Sequence, residues 1–252
     1  MNAKIPRFPL LCFLFLSWCS LPLHAQSDAE LAYQKAIEAV GLMDEGRLNA
    51  SIAADPQFAS NYYRLAQIFL NSSDKVPGLL YGEIFMNLER TTARTQEVSE
   101  WLFDTYRESV TLSGDSFSVD FCEIILDAST LKTEEWRLPF CAIFAKNFLL
   151  ASTGQEQLNL SSLAVIRSTF LQIHFQTDAL DYPNVLFDYH QLMEQAGVFK
   201  AYNHYLFQVS NFEEFEQWRS EHEAAYQTFV DWYTDEANFL LLDPEHLYLR
   251  NH

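Results

Sequence analysis

Histidine and carboxylate residues near position 190 are the first place in this sequence where chemistry can be sought. His190 and Glu194 stand four residues apart, which puts an imidazole and a carboxylate on one face if the segment is helical. Asp188 and His204 are near enough in sequence to join them. A set of two nitrogens and two oxygens is a donor set for zinc or a similar ion, and a metal-assisted hydrolase is the activity such a centre would carry. The alternative is a polar network that orients two helices. Glu221-His222-Glu223 is a weaker candidate, because adjacent residues on a helix diverge.

Other chemistry is absent from the pattern. There is no HExxH, GxSxG, P-loop, GxGxxG or EF-hand loop, so no motif calls for a cofactor. With 34 acidic residues, close carboxylate pairs are inevitable, and none is marked out for glycoside hydrolysis.

Two cysteines, Cys122 and Cys141, lie outside the N-terminal apolar segment, and an oxidising compartment would favour a bond between them. Both sit among apolar neighbours, so two buried thiols are the alternative. The compartment is suggested by the first 25 residues. Lys4 and Arg7 precede an apolar run from Pro9 to Leu16, and Leu23-His24-Ala25 offers a small residue for cleavage. Residues 1–25 therefore read as a signal peptide, and the expected address is periplasmic or secreted. Leu16-Ser17-Trp18-Cys19 is a poor lipobox because of Trp18, which favours a product without a lipid anchor.

No other stretch reaches 18 apolar residues, so no membrane span is expected. Removing Lys4 and Arg7 from the 16 basic residues leaves 14 against 34 acidic ones, a net charge of −20 for the mature chain. Such a field repels phosphate backbones and argues against nucleic acid as a partner.

The elements that would position any site are helical. Glycine and proline are few, 7 and 8, where an all-β chain would need many tight turns. Apolar residues recur at i, i+3, i+4 and i+7 between Asp28 and Val40, and again at Phe58, Tyr62, Leu65, Ala66 and Phe69. The spacing predicts helices over 28–44, 46–54, 57–71, 76–89, 92–111, 117–129, 133–151, 160–177, 184–196, 198–208 and 211–240. Asp55-Pro56, Thr133-Glu134-Glu135 and Ser210-Asn211-Phe212-Glu213 supply start signals. The stretch 111–116 reads as a boundary. It divides a region 26–111 from a C-terminal helical region 112–252 packed on it.

Within the first region, Tyr62, Leu65, Ala66 and Phe69 fall at the large, large, small and aromatic positions of a tetratricopeptide helix A. Gly78, Tyr81, Gly82 and Phe85 alternate small with aromatic, as helix B requires. Residues 28–111 thus resemble a tetratricopeptide-type repeat, with one fair unit and a degenerate neighbour around Leu48–Pro56. The resemblance implies an all-α fold, an α-hairpin array completed by the C-terminal helices. It also implies a concave face for a protein or peptide partner. Asn61, Tyr62 and Arg64 are its candidate contact residues. The whole chain resembles exported proteins of Gram-negative bacteria with a degenerate helical-repeat start, a resemblance that brings address and fold but no activity.

The stretch from Tyr182 to Tyr248 is rich in aromatic residues, which either form core or line a groove. Tyr202, Tyr205 and Tyr226 are its candidate groove residues; Phe212, Phe215, Phe229 and Trp232 have the spacing of a buried stripe. The expected function is an exported interaction module without catalytic activity. The rivals are the hydrolase around Asp188, His190, Glu194 and His204, and a structural subunit of an envelope assembly.

Overall fold

A computed structural model describes residues 45–113, 116–124 and 137–250. The expected signal peptide, the helix over 28–44 and the Thr133 start signal lie outside these residues. The described chain is mostly helical, as expected. Its helices are α1 (Glu45–Ala54), α2 (Ala59–Leu70), α3 (Lys75–Leu88), α4 (Ala93–Ser109), α5 (Phe140–Ala151), α6 (Leu160–Thr177), α7 (Val185–Gln195), α8 (Phe199–Leu206), α9 (Phe212–Glu221) and α10 (Glu223–Thr234). A single 3-10 turn, Glu236–Asn238, precedes an irregular tail. No described helix is long and apolar enough to cross a membrane.

Two expectations are corrected. The chain on either side of residues 114 and 115 forms two antiparallel strands rather than the ends of two helices. There β1 (Val110–Ser113) pairs with β2 (Ser116–Val119), Val110 opposite Val119 and Leu112 opposite Phe117. A helix over 117–129 therefore does not begin where expected, because Ser-Phe-Ser-Val alternates with period two and completes a strand. The helix predicted over 211–240 is divided at His222, whose backbone leaves the helical region (ψ 37°).

The two start signals within the described residues are displaced: Phe58, not Asp55, is the N-cap residue of α2, and the cap of α9 moves by one position. Asp55 turns the chain by accepting from Gln57 N (3.1 Å), and the helix begins later, at Ala59. Asn211 rather than Ser210 caps α9: its Oδ1 accepts from Glu214 N while its Nδ2 donates to the Glu214 carboxylate. Thr92 and Asn159 form capping boxes with Thr95 and Ser162.

Helix α3 is the axis of the molecule. Every residue from Val76 to Asn87 is buried. Its glycines let α2 and α4 approach: a β-carbon at Gly78 would stand 2.5 Å from the Leu70 backbone nitrogen, and one at Gly82 would stand 2.9 Å from a Leu102 methyl. The pairing of small with large residues in the α2–α3 hairpin thus has a direct steric cause.

On its other sides α3 meets the C-terminal half. Glu83 contacts Arg167 of α6, Asn87 bonds Tyr202 of α8 and Tyr233 of α10, and Tyr81 packs on Tyr248 of the tail. One continuous apolar core runs from Leu48 to Tyr248. A pair of rings, Tyr106 and Phe121, ties the segment after β2 to α5 through Phe144 and Phe148. Cys122 and Cys141 are bonded, fastening this segment to the start of α5.

Candidate functional site

The four residues of the rival hydrolase reading, Asp188, His190, Glu194 and His204, do not form one metal-binding group. Asp188 points outward from α7 and is exposed, while His190 is buried two residues later. Glu194 faces a shallow depression shared with Ser168 and Lys200. His204 lies under Trp218, its ring stacked at 4.0 Å, with Nδ1 2.9 Å from Lys200 O and Nε2 3.2 Å from Ser161 Oγ. Among the described residues no three His, Cys, Asp or Glu side chains gather as a metal-binding group. Helical spacing put His190 and Glu194 on neighbouring turns, but α7 turns only one of them into the core.

What His190 does instead is join a buried charged centre. Arg167 Nη2 donates to both oxygens of Glu83 at 2.6 Å, and Tyr202 OH donates to Oε1 at 2.9 Å. His190 Nε2 stands 2.7 Å from Oε1 but out of line for a hydrogen bond. Arg167 is further held by Asn203 Oδ1, and Tyr202 OH accepts from Asn87 Nδ2 at 2.7 Å. The cavity beside this centre measures about 20 Å³, room for a single water, so no substrate reaches it. Its role is to lock α3, α6, α7 and α8 in one register.

Electrostatics follow from burial. Desolvation works against the Glu83 carboxylate, yet the Arg167 guanidinium holds it down to about 2. Desolvation pushes His190 below its ordinary value, with Glu83 opposing. His174 and His204 are lowered by the same cause.

A histidine whose folded value is depressed carries no pH-dependence above its unfolded value, 6.5, because both states are neutral there. Below it the unfolded chain takes up protons that the fold refuses, and stability falls. The urea midpoint is therefore expected to be level from pH 8 to 7 and to decline between pH 6.5 and 5. His190→Gln is expected to make that decline shallower. A midpoint independent of pH down to 5 would refute the assignment.

The residues expected to meet a partner are divided in the same way. Asn61 is fully buried and donates to Ser51 Oγ (3.0 Å). Tyr62 is fully buried, and its OH donates to Pro56 O (2.8 Å). Both fasten the α1–α2 connection and present no surface, contrary to the role expected for them. Arg64 is half-buried and donates to Gln67 Oε1 (2.7 Å). Tyr202 belongs to the charged centre and is likewise without exposed surface.

Tyr205 is placed differently. One turn beyond Tyr202's face, it lines an open groove of about 470 Å³ with Met86, Thr95, Gln96, Gln208, Val209 and Phe212. The floor is set by Ser99, which donates to Leu206 O (2.6 Å) and draws α4 against the end of α8. One wall is the turn between α3 and α4, where Thr91 adopts φ 58°, a left-handed conformation that costs a β-branched residue. The other wall is the connection from α8 to α9, with Val209 and Phe212 41% and 61% exposed. Among the described residues no charged one lines the groove. The reading of Phe212 as core stripe fails because Asn211 caps α9, which leaves position 212 on the first, outward turn.

No known family model matches this chain, and neither a curated protein nor a solved structure matches it.

Proposed function

We propose that the chain is an interaction module without catalytic activity, which takes an extended segment of a protein partner into the groove between α4 and the α8–α9 connection. The observation that carries this reading is the exposed Phe212 and Val209 beside Tyr205, Gln96 and Gln208. Apolar anchors beside amide and hydroxyl groups suit a peptide, whose backbone needs hydrogen bonds and whose side chains need apolar seats. The repeat-like α2–α3 hairpin supplies a rigid support for the α3–α4 wall. A net charge of −18 favours basic residues flanking the seated segment. The Cys122–Cys141 bond suits an oxidising compartment, in keeping with export to the periplasm or beyond.

Photo-crosslinking tests the reading. A crosslinker at Gln96 or Gln208 is expected to capture one partner from an envelope extract, whereas one at exposed Gln172 on α6 captures none. Phe212→Asp is expected to reduce capture about tenfold, the loss of one buried anchor. Equal capture from the groove and from Gln172, or capture unaffected by Phe212→Asp, would sink the proposal.

A further inference from the structure

On the turn after α3 stands an arginine that no carboxylate among the described residues balances, in a chain with 34 acidic residues. Arg90 Nε donates to Asn87 O (3.2 Å) and Nη1 to Tyr233 O (2.5 Å). Its guanidinium lies 3.9 Å over the Tyr233 ring and 4.2 Å over the Phe239 ring. Nη2 is buried and has no hydrogen-bond partner. A buried N–H of a charged group left unpaired is costly, so the arrangement calls for an acceptor.

A second unpartnered group lies close by. Tyr189 is 4% exposed, and its OH is buried with no hydrogen-bond partner. Burial pushes this phenol up to about 12, and the Arg90 charge opposes it.

Tyr189 also lines a cleft of about 330 Å³ whose other walls are Leu192, Trp232 and Phe239, with Gln195 and Asn238 at the edge. The Tyr189 and Trp232 rings are 5.9 Å apart. Among the described residues no acidic one lines the cleft. Phe239 is at once a wall of the cleft and the cover of the guanidinium. It is 38% exposed and follows the short 3-10 turn Glu236–Asn238.

We propose that this cleft binds a small carboxylate bearing a flat apolar group, the ring seated against Trp232 and Leu192 and the carboxylate reaching Arg90 Nη2 and the Tyr189 hydroxyl as Phe239 swings aside. The donor count selects the class. One guanidinium N–H and one phenol match the two oxygens of a carboxylate, a dianionic phosphate would need more donors, and a neutral ligand would leave the guanidinium uncompensated. The ligand is a free aromatic acid or the C-terminal carboxylate of a peptide ending in an aromatic residue. This cleft is separate from the groove at Tyr205 and Phe212, and its occupancy does not depend on that reading.

Calorimetric titration of the full chain with phenylacetate, set beside phenylacetamide, tests it. Phenylacetate is expected to bind saturably and the amide about tenfold more weakly or worse, the loss of one charge-assisted pairing. Arg90→Met keeps the stem over Tyr233 and is expected to abolish the difference between acid and amide. Tyr189→Phe removes a single unpaired oxygen, leaves folding intact, and is expected to weaken phenylacetate several-fold. Phe239→Ala is expected to tighten it.

A capped tripeptide ending in phenylalanine, with its amide as control, separates the sources. Tighter binding than phenylacetate assigns the site to a peptide terminus, and equal binding assigns it to a free acid. Failure of both acids to bind, acid and amide binding alike, or full affinity in Tyr189→Phe and Arg90→Met would overturn the proposal.

Discussion

Replacing Arg167 by methionine is expected to destabilise the fold by about 3–5 kcal/mol, the usual cost of removing one partner of a buried ion pair. Glu83 is 4% exposed and would lose both bonds from Arg167 Nη2, keeping one tyrosine donor beside the buried His190 ring. A chain of this kind has about 5–15 kcal/mol of stability in all, so the variant sits near the limit of folding. The loss comes from the stranded carboxylate, not from the pair's own attraction, which desolvation largely cancels. The double variant Glu83→Leu with Arg167→Met is therefore expected to recover most of the stability. Urea unfolding followed by circular dichroism checks both. If the double variant is as weak as the single one, or weaker, the charged centre acts through packing and the electrostatic account fails.

Reducing the Cys122–Cys141 bond is expected to cost about 3 kcal/mol, the chain-entropy value for a closed loop near its 19-residue separation. The native contacts give reason to expect that the folded form survives. Phe121, beside Cys122, is buried among Tyr106, Phe144 and Phe148, and the segment is also pinned by Lys75 N donating to Phe121 O (2.8 Å) and Glu123 N to Ser73 O (3.1 Å). The bond's effect therefore falls on the unfolded chain. Reduced protein is expected to keep its near-ultraviolet circular dichroism in buffer while its urea midpoint drops. A midpoint unchanged by reduction would show that the bond constrains nothing the rest of the fold does not.

The helices could be read from periodicity, because one apolar face repeated every three or four residues is a local signal. So could the small residues of α3, since Gly78 and Gly82 answer to side chains on the helices beside them. What could not be read was long-range. Glu83 and Arg167 are 84 positions apart, and nothing near either residue announces the other. A strand of four residues, such as Ser116–Val119, is too short for alternation to stand out from a helical window. The tyrosines were the hardest case. Tyr62, Tyr202 and Tyr205 share a residue type and an amphipathic setting, yet two find buried hydroxyl partners, Pro56 O and Glu83, and the third lines a groove. Which outcome applies depends on partners supplied by other elements. The groove residues Thr95, Gln96 and Gln208 carried no signal at all.

The tail that covers Tyr81 has a consequence for the order of folding. Gln57 Nε2 donates to Leu242 O across 185 positions, Arg250 N donates to Tyr81 OH across 169, and the Arg250 guanidinium reaches both Glu45 and Asp74. Leu240, Leu242 and Tyr248 are buried in the core, Tyr248 with its ring 5.0 Å from that of Tyr81. A chain is made from its N-terminus, so the α2–α3 hairpin emerges early and waits, with one flank of Tyr81 uncovered, until residues near 250 have followed. Closing contacts over such separations is slow, and the waiting surface is apolar. The nascent molecule is thus held unfinished until residues near 250 arrive, an interval in which a chaperone would find it still open.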